Sequence, residues 1–239
     1  MCGSFETKEK QQEKWLGQML SAAGVADSVR KTVAYKEGKI RGACLEIVII
    51  VNDWRAQAVG GFEIALMLWE KCCIPSLMHG AGTWVAMNAT TEKQLNNLQN
   101  WFVRLIWRVG QGAPLAALLW DSQLLDMKLR VWQEKVLMVL HIRCLDNESL
   151  ANRVYIQQKE EDWPGFACET KKICEELKIE DCNTTQMSKN DYRTILVKAC
   201  HAKNEQMLQS TASEVKCGRI TKEEYGETVY IQRCNINES

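Results

Sequence analysis

The residues of this sequence best suited to chemistry are basic and aromatic, and several share one face of a predicted helix. The segment from Thr91 to Val109 has helical apolar spacing, and Arg104 and Arg108 lie one turn apart on the opposite side, beside Trp101. Arginine pairs with phosphate and a tryptophan ring stacks on bases, so this face can contact a nucleic-acid backbone. The alternative is a solvated helix face, which most basic pairs form.

Three further cations lie on the next predicted helix, at Lys128, Arg130 and Lys135. They extend the basic character of the same region. Arg130 also precedes Glu134 by four residues, a spacing at which opposite charges on a helix pair with each other. Phosphate contact and an internal ion pair are both compatible with the sequence at Arg130.

The cysteines and histidines match no known metal-binding or catalytic motif. The 11 cysteines include no Cys-x-x-Cys pair. Four zinc ligands are available in principle: Cys168, Cys174, Cys182 and either Cys200 or His201. Their spacing is not that of a zinc finger, so buried or incidental thiols are the favoured interpretation. No cysteine–histidine pair has a third group to orient it, and the sequence therefore predicts no catalytic residue, no metal and no cofactor.

The glycine-rich segment His79–Trp84 is a second candidate for phosphate binding. It lacks both the Gly-x-Gly-x-x-Gly spacing and the lysine of a P-loop. A helix-ending turn that packs Trp84 is the predicted role instead.

Composition limits the class of protein. Lys and Arg together number 30, as do Asp and Glu, so any nucleic-acid binding must come from a local patch. The polar segment 1–14 has no apolar region typical of a signal peptide, and the longest apolar run, near Ile47–Val51, is far too short to cross a membrane. We therefore expect reduced thiols, no membrane partner and a cytoplasmic or nuclear location.

The elements that must position these residues are predicted to be helices. Only three prolines interrupt the chain, and most apolar residues recur at intervals of three and four, which predicts an all-α fold. A short strand or turn is expected around Trp15, and the β-branched run Cys44–Val51 can be helix or strand. The predicted helices run from Asp27 toward Trp54, from Phe62 to about Cys73 with a stop at Pro75, from Thr91 to Val109 with a Thr91–Gln94 capping box and Gly110 as stop, from Asp121 to Leu145, from Phe166 to Leu177 and from Ser188 to Thr211. The helix Asp121–Leu145 carries two apolar stripes, so it is predicted to be buried on two sides.

Three segments resemble a known family. Lys14–Gly17, with the sequence KWLG, resembles the primer-grip hairpin of non-LTR (LINE-type) retrotransposon reverse transcriptases. Ile74–Trp84, with the sequence IPSLMHGAGTW, resembles the family signature x-P-x-L-L-Y-G-x-E-T-W, and Leu98–Val109 resembles the helix that follows it. Two departures are His79 in place of Tyr and Ala81-Gly82 in place of the x-Glu pair.

The resemblance implies the region that follows the polymerase palm. It implies a helical thumb-like bundle followed by a second small helical region. The expected divisions are a charged leader with a primer-grip remnant at 1–20, a thumb-like domain at 21–145, a smaller helical region at 146–218 and a weakly ordered tail at 219–239.

The resemblance also implies a function. The parent activity is RNA-directed DNA synthesis, which uses paired aspartates to hold two metal ions; this sequence has no Asp-Asp dipeptide, so we expect no enzymatic activity. The resemblance thus implies a fragment or decayed copy of such a polymerase, without the catalytic palm, that retains a helical module for binding an RNA/DNA template–primer. Its contacts are expected at Trp15, Gly17, Trp101, Arg104, Arg108, Lys128, Arg130 and Lys135. The alternative is a helical protein-interaction domain that uses exposed apolar surface, or a remnant without function.

Overall fold

A computed structural model shows a fold made of helices with one short hairpin, which confirms the predicted all-α class. The structure describes residues 12–15, 18–21, 24–52, 60–84, 87–161, 165–183 and 185–214, with the backbone alone at 12–15, 18–21 and 211–214. The elements are β1 (Gln12–Trp15), β2 (Gln18–Ser21), α1 (Val25–Asn52), α2 (Gly61–Leu68), a π-helical turn (Trp69–Cys73), α3 (Ile74–Met78), a 3-10 turn (Ala81–Thr83), α4 (Ala89–Trp107), α5 (Leu115–Ser122), α6 (Met127–Arg143), α7 (Leu150–Glu160), α8 (Phe166–Leu177) and α9 (Lys189–Glu214).

The strand expected around Trp15 is present as half of a hairpin. β1 and β2 pair antiparallel, with Gln12 opposite Ser21 and Trp15 opposite Gln18. Two residues therefore connect the strands, which is the commonest hairpin loop length.

Helix α1 includes the run Cys44–Val51, so this segment is helix and not strand. Val33, Ile40, Cys44 and Ile47 are buried at intervals of three to seven residues and form a single apolar stripe. Burial of this stripe outweighs the modest helix penalty of the β-branched residues, because tertiary packing overrides intrinsic propensity.

The predicted stop at Pro75 is wrong, because the chain remains helical through it. Ile74 donates its backbone N–H to the carbonyl of Trp69, five residues earlier, so the turn before the proline is widened. Pro75 lies in the first turn of α3, and the widened turn before it accommodates a residue that has no N–H to donate.

Helix α4 begins and ends earlier than predicted. Its N-cap is Asn88, whose side chain accepts a 2.9 Å hydrogen bond from the N–H of Thr91, and Thr91 itself is buried inside the helix. The Thr91–Gln94 capping box is therefore wrong, and Gln94 instead donates to Glu37 of α1 at 2.6 Å. The helix ends at Trp107, before the predicted stop at Gly110.

Helix α6 contributes to two hydrophobic cores, which confirms its predicted burial on two sides. Met127 and Val131 pack into a core with α1 to α5, whereas Val136 and Val139 pack with α8 and α9. The described residues of the predicted second region, 146–218, thus share a core with α6. The leader at 1–11 and the tail at 219–239 lie outside the described residues. None of the described helices combines the length and the apolar character needed to span a bilayer.

Candidate nucleic-acid interface

Arg104 is half-buried and holds a loop. Its Nη1 donates to the carbonyl oxygens of Gly110 and Ala113 at 2.7 and 3.0 Å, where the chain turns back after α4. Two charge-assisted hydrogen bonds to backbone carbonyls give this guanidinium a structural role in the loop.

The prediction that Arg104 and Arg108 share one helical face is wrong. Because α4 ends at Trp107, Arg108 takes the left-handed conformation with φ of 54° and leaves the helix. Its side chain is exposed and donates to Asn52 Oδ1 at the end of α1. Of the two arginines, Arg108 therefore offers the cation more accessible to a ligand.

Trp101 is half-buried, and one face of its ring is covered. The guanidinium carbon of Arg41 lies 4.6 Å from the centre of the Trp101 ring, in cation–π geometry. Arg41 is held in place by Glu37, at 2.8 Å. A base could stack on Trp101 only on the remaining face or after displacing Arg41.

The three cations of α6 all contact acidic side chains. Lys128 lies 3.8 Å from Glu92 and 5.1 Å from the centre of the Trp132 ring, and it is partly exposed. Arg130 forms a two-pronged ion pair with Glu70 of the π-helical turn. The predicted Arg130–Glu134 pair is therefore wrong.

Lys135 is the least accessible of the predicted contacts. Its side chain is 1% exposed and pairs with Glu169 of α8. An ion pair this deep is costly to break, because the remaining charge would stay buried without a partner. Lys135 connects two helices of the second core and presents no charge to solvent.

The two remaining predicted contacts are Trp15 and Gly17. Trp15 is the last residue of β1, and its backbone is opposite Gln18. The side chain of Trp15, and Gly17 as a whole, lie outside the described residues.

Lys36 is a buried cation whose partners were not predicted from the sequence. Its Nζ donates to the carbonyl oxygens of Leu77 at 3.2 Å and His79 at 2.5 Å, which caps the C-terminal end of α3, and it lies 5.5 Å from the centre of the Trp84 ring. Burial lowers the pKa of Lys36 to about 8. The sequence feature that could have identified Lys36 is its position in the apolar stripe of α1, because a lysine buried there needs partners for its charge.

The glycine-rich turn packs Trp84 as predicted. Gly80 has φ of 77°, and its carbonyl accepts hydrogen bonds from the backbone and side chain of Thr83. Trp84 is 1% exposed and joins the first core.

The four zinc ligands considered from the sequence do not come together in the structure. Two of them, Cys174 and Cys182, lie near Asp181 instead. Among the described residues, one group of potential metal ligands comes together: Cys174, Asp181 and Cys182, with ligand atoms within 4.8 Å of one another. Cys168 and Cys200 do not belong to it. A hydrogen bond from Cys182 lowers the pKa of Cys174 to about 7, and that same hydrogen bond, with burial, raises the pKa of Cys182.

Comparison of the chain with known protein families, with curated proteins and with solved structures finds no match.

Proposed function

We propose that this chain is a non-catalytic, thumb-like module of the kind that follows the palm in non-LTR retrotransposon reverse transcriptases, and that it binds a template–primer. The observation that carries the proposal is the antiparallel hairpin at Gln12–Ser21, which coincides with the segment that resembles a primer grip. Trp15 is the last residue of β1, and aromatic side chains stack on nucleic-acid bases, so we assign Trp15 to the primer end.

The packing around α1 supports the same proposal. Residues of the signature segment, including Leu77 and Trp84, lie in one core with α1 and α4, and the ring of Trp69 stacks on Phe102 with centroids 4.4 Å apart. The hairpin is thus attached to a helix whose buried face is fixed on several sides. A rigid support of this kind suits a device that holds a nucleic-acid end in place.

The module acts in binding and not in catalysis. Phosphoryl transfer by a polymerase requires two metal ions, held by paired carboxylates, at the attacking and leaving oxygens. The chain has no Asp-Asp dipeptide to provide them. Polymerase activity would belong to a palm domain.

A second candidate is a protein-interaction domain, or a remnant, and one observation favours it. The last turns of α1 expose Ile49 at 71% and Ile50 at 54%, and the predicted cations are mostly occupied by internal contacts. Large apolar side chains exposed together mark surfaces that associate.

Salt dependence separates the two candidates. Fluorescence anisotropy of a labelled RNA–DNA hybrid with a recessed primer, titrated with the chain between 50 and 300 mM salt (about the range over which phosphate contacts weaken most), is the measurement. We expect binding that weakens steeply with salt. Absence of binding at the lowest salt, or an affinity that does not respond to salt, would favour the second candidate.

A further inference from the structure

We propose that Cys174, Asp181 and Cys182 form a binding site for a thiophilic divalent cation, with Zn²⁺ as the expected ion. Cys174 lies in α8, whereas Asp181 and Cys182 lie in the loop between α8 and α9. Two sulfur atoms and one carboxylate oxygen are within 4.8 Å of one another. In a tetrahedral zinc site, bonds of about 2.3 Å place two sulfur ligands about 3.8 Å apart, so only small movements are needed.

The donor types match the ion. Zinc in proteins is bound by cysteine thiolates, imidazoles and carboxylates, and two thiolates select zinc over magnesium or calcium. Cys174 and Cys182 are buried and Asp181 is half-buried, so a cation entering here would exchange water for protein ligands. Three protein ligands leave the fourth tetrahedral position to a water molecule.

The loop that carries two of the ligands is held by its neighbours. Asp181 Oδ1 accepts hydrogen bonds from the backbone N–H and the side-chain amide of Asn183, at 2.9 and 2.5 Å. Arg143 of α6 donates to the carbonyls of Cys182 and Thr185 at 2.5 and 2.9 Å. Partners of this kind orient metal ligands and fix their geometry before the ion arrives.

Helices α7 and α9 add to this support. From α7, Tyr155 donates to Asn183 Oδ1, and Lys159 donates to the carbonyl of Asn183 at 3.2 Å. From α9, the hydroxyl of Tyr192 donates to the carbonyl of Glu180 and lies 3.5 Å from the Cys174 sulfur. The loop is therefore positioned by three helices besides the one that carries Cys174.

The charges also balance. Binding of Zn²⁺ breaks two S–H bonds, forms two Zn–S bonds and releases two protons to solvent. Two thiolates and one carboxylate then surround the ion with one excess negative charge. The Arg143 guanidinium, which donates a hydrogen bond to the carbonyl oxygen of Cys182, offsets that negative charge.

Cobalt titration of the full chain tests the site. We use Co²⁺ as a coloured probe for zinc, with a phosphine reductant present to keep thiols reduced. The wild type is expected to bind one equivalent with sulfur-to-cobalt charge-transfer absorption, and Zn²⁺ is expected to displace the cobalt and raise Tm. Cys182→Ser should lose the absorption and the rise in Tm. Cys200→Ser, which changes another fully buried cysteine outside the group, should keep both.

A variant that preserves the loop covers the case in which Cys182→Ser fails to fold. Asp181→Asn keeps an oxygen that can accept from Asn183 and removes only the ligand charge, so cobalt affinity should fall by at least about tenfold with unchanged helicity. No cobalt absorption in the reduced wild type would overturn the proposal. Equal absorption and affinity in the wild type, Cys182→Ser and Asp181→Asn would overturn it as well.

Discussion

Gly82 lies so close to helix α6 that a Cβ atom at this position would stand 2.9 Å from the backbone oxygen of Glu134. The same atom would be 3.0 Å from the Cβ of Met138. A side chain at this position would collide with backbone, so the close approach of the 3-10 turn to α6 requires a glycine.

Gly82→Ala is expected to destabilise the chain by about 1–3 kcal/mol, because the added methyl group must push against backbone. Urea unfolding followed by circular dichroism measures the effect. Gly110→Ala is the matched control, since a Cβ there meets no atom within 4 Å, and its stability should stay the same or rise slightly. Equal stability of the two variants would contradict the close contact between Gly82 and α6.

The ion pair of Arg130 with Glu70 predicts unequal effects of two conservative changes. Glu70→Gln should lower the free energy of unfolding by about 1–3 kcal/mol, because it removes a charge-assisted, two-pronged interaction. Glu134→Gln should change it by less than about 0.5 kcal/mol, as exposed substitutions usually do. Chemical denaturation of both variants makes the comparison, and a larger effect at Glu134 than at Glu70 would contradict the stabilising role of the Arg130–Glu70 pair.

Lys36 predicts a stability that rises with alkaline pH. Its pKa is lowered from 10.5 to about 8 by burial, so between these values the unfolded chain binds a proton that the folded chain does not. The free energy of unfolding should therefore increase over this window, by at most about 1.4 kcal/mol per pH unit, and the increase should be absent below pH 8.

The Lys36 effect is isolated by subtraction. Lys36→Met keeps most of the side-chain volume and removes the titrating amine, while ionising thiols contribute equally to both proteins. The difference in unfolding free energy between wild type and variant should grow in favour of the wild type from pH 8 to 10.5. A difference that is flat or falls over this range would show that the amine does not titrate as stated.

Absence of the aspartate pair predicts that the chain alone extends no primer. A primed RNA template, nucleotides and Mg²⁺ or Mn²⁺ should yield no product, because the two metal ions have no paired carboxylates to hold them. An active reverse transcriptase on the same template is the control. Template-dependent extension above a no-protein sample would refute the non-catalytic assignment.

The fold could be predicted further than the candidate interface. Apolar spacing was sufficient to predict that α4 and α6 exist and that α6 is buried on two sides, because local periodicity determines which faces are buried. The predicted start of α6 at Asp121 is wrong, since Asp121 lies in α5 and α6 begins at Met127 with Asp126 as its N-cap. Apolar spacing did not predict that the chain stays helical through Pro75, where a widened turn accommodates a residue without an N–H. Such a turn depends on register within one helix and has no simple sequence signal.

The partners of the basic residues could not be predicted because they are distant in sequence. Arg130 pairs with a residue 60 positions earlier, and Lys135 pairs with one 34 positions later. Spacing along a helix indicates only near neighbours such as Glu134. The choice between phosphate contact and internal pairing is made by tertiary structure, which the sequence pattern does not encode locally.

The structure also determines which arginine is suitable for a binding test. Arg104 holds the loop at Gly110 and Ala113, so its removal would change structure and binding together. Arg108 is exposed, and Asn tolerates its left-handed conformation, so Arg108→Asn removes the charge with little strain. Trp15→Ala removes the aromatic side chain of the last residue of β1.

The most direct test of template–primer binding compares the wild type with the Trp15→Ala/Arg108→Asn double variant on a primed RNA–DNA hybrid across a salt series. Arg153→Ala, which removes an exposed cation on α7, is the control. The double variant should bind at least about tenfold more weakly, since stacking on one aromatic is worth about 1–3 kcal/mol, and its log–log salt slope should shrink by about 0.9 for each phosphate that the protein no longer neutralises. The control should bind like the wild type. Equal affinity and equal slope for wild type and double variant would contradict the proposed function.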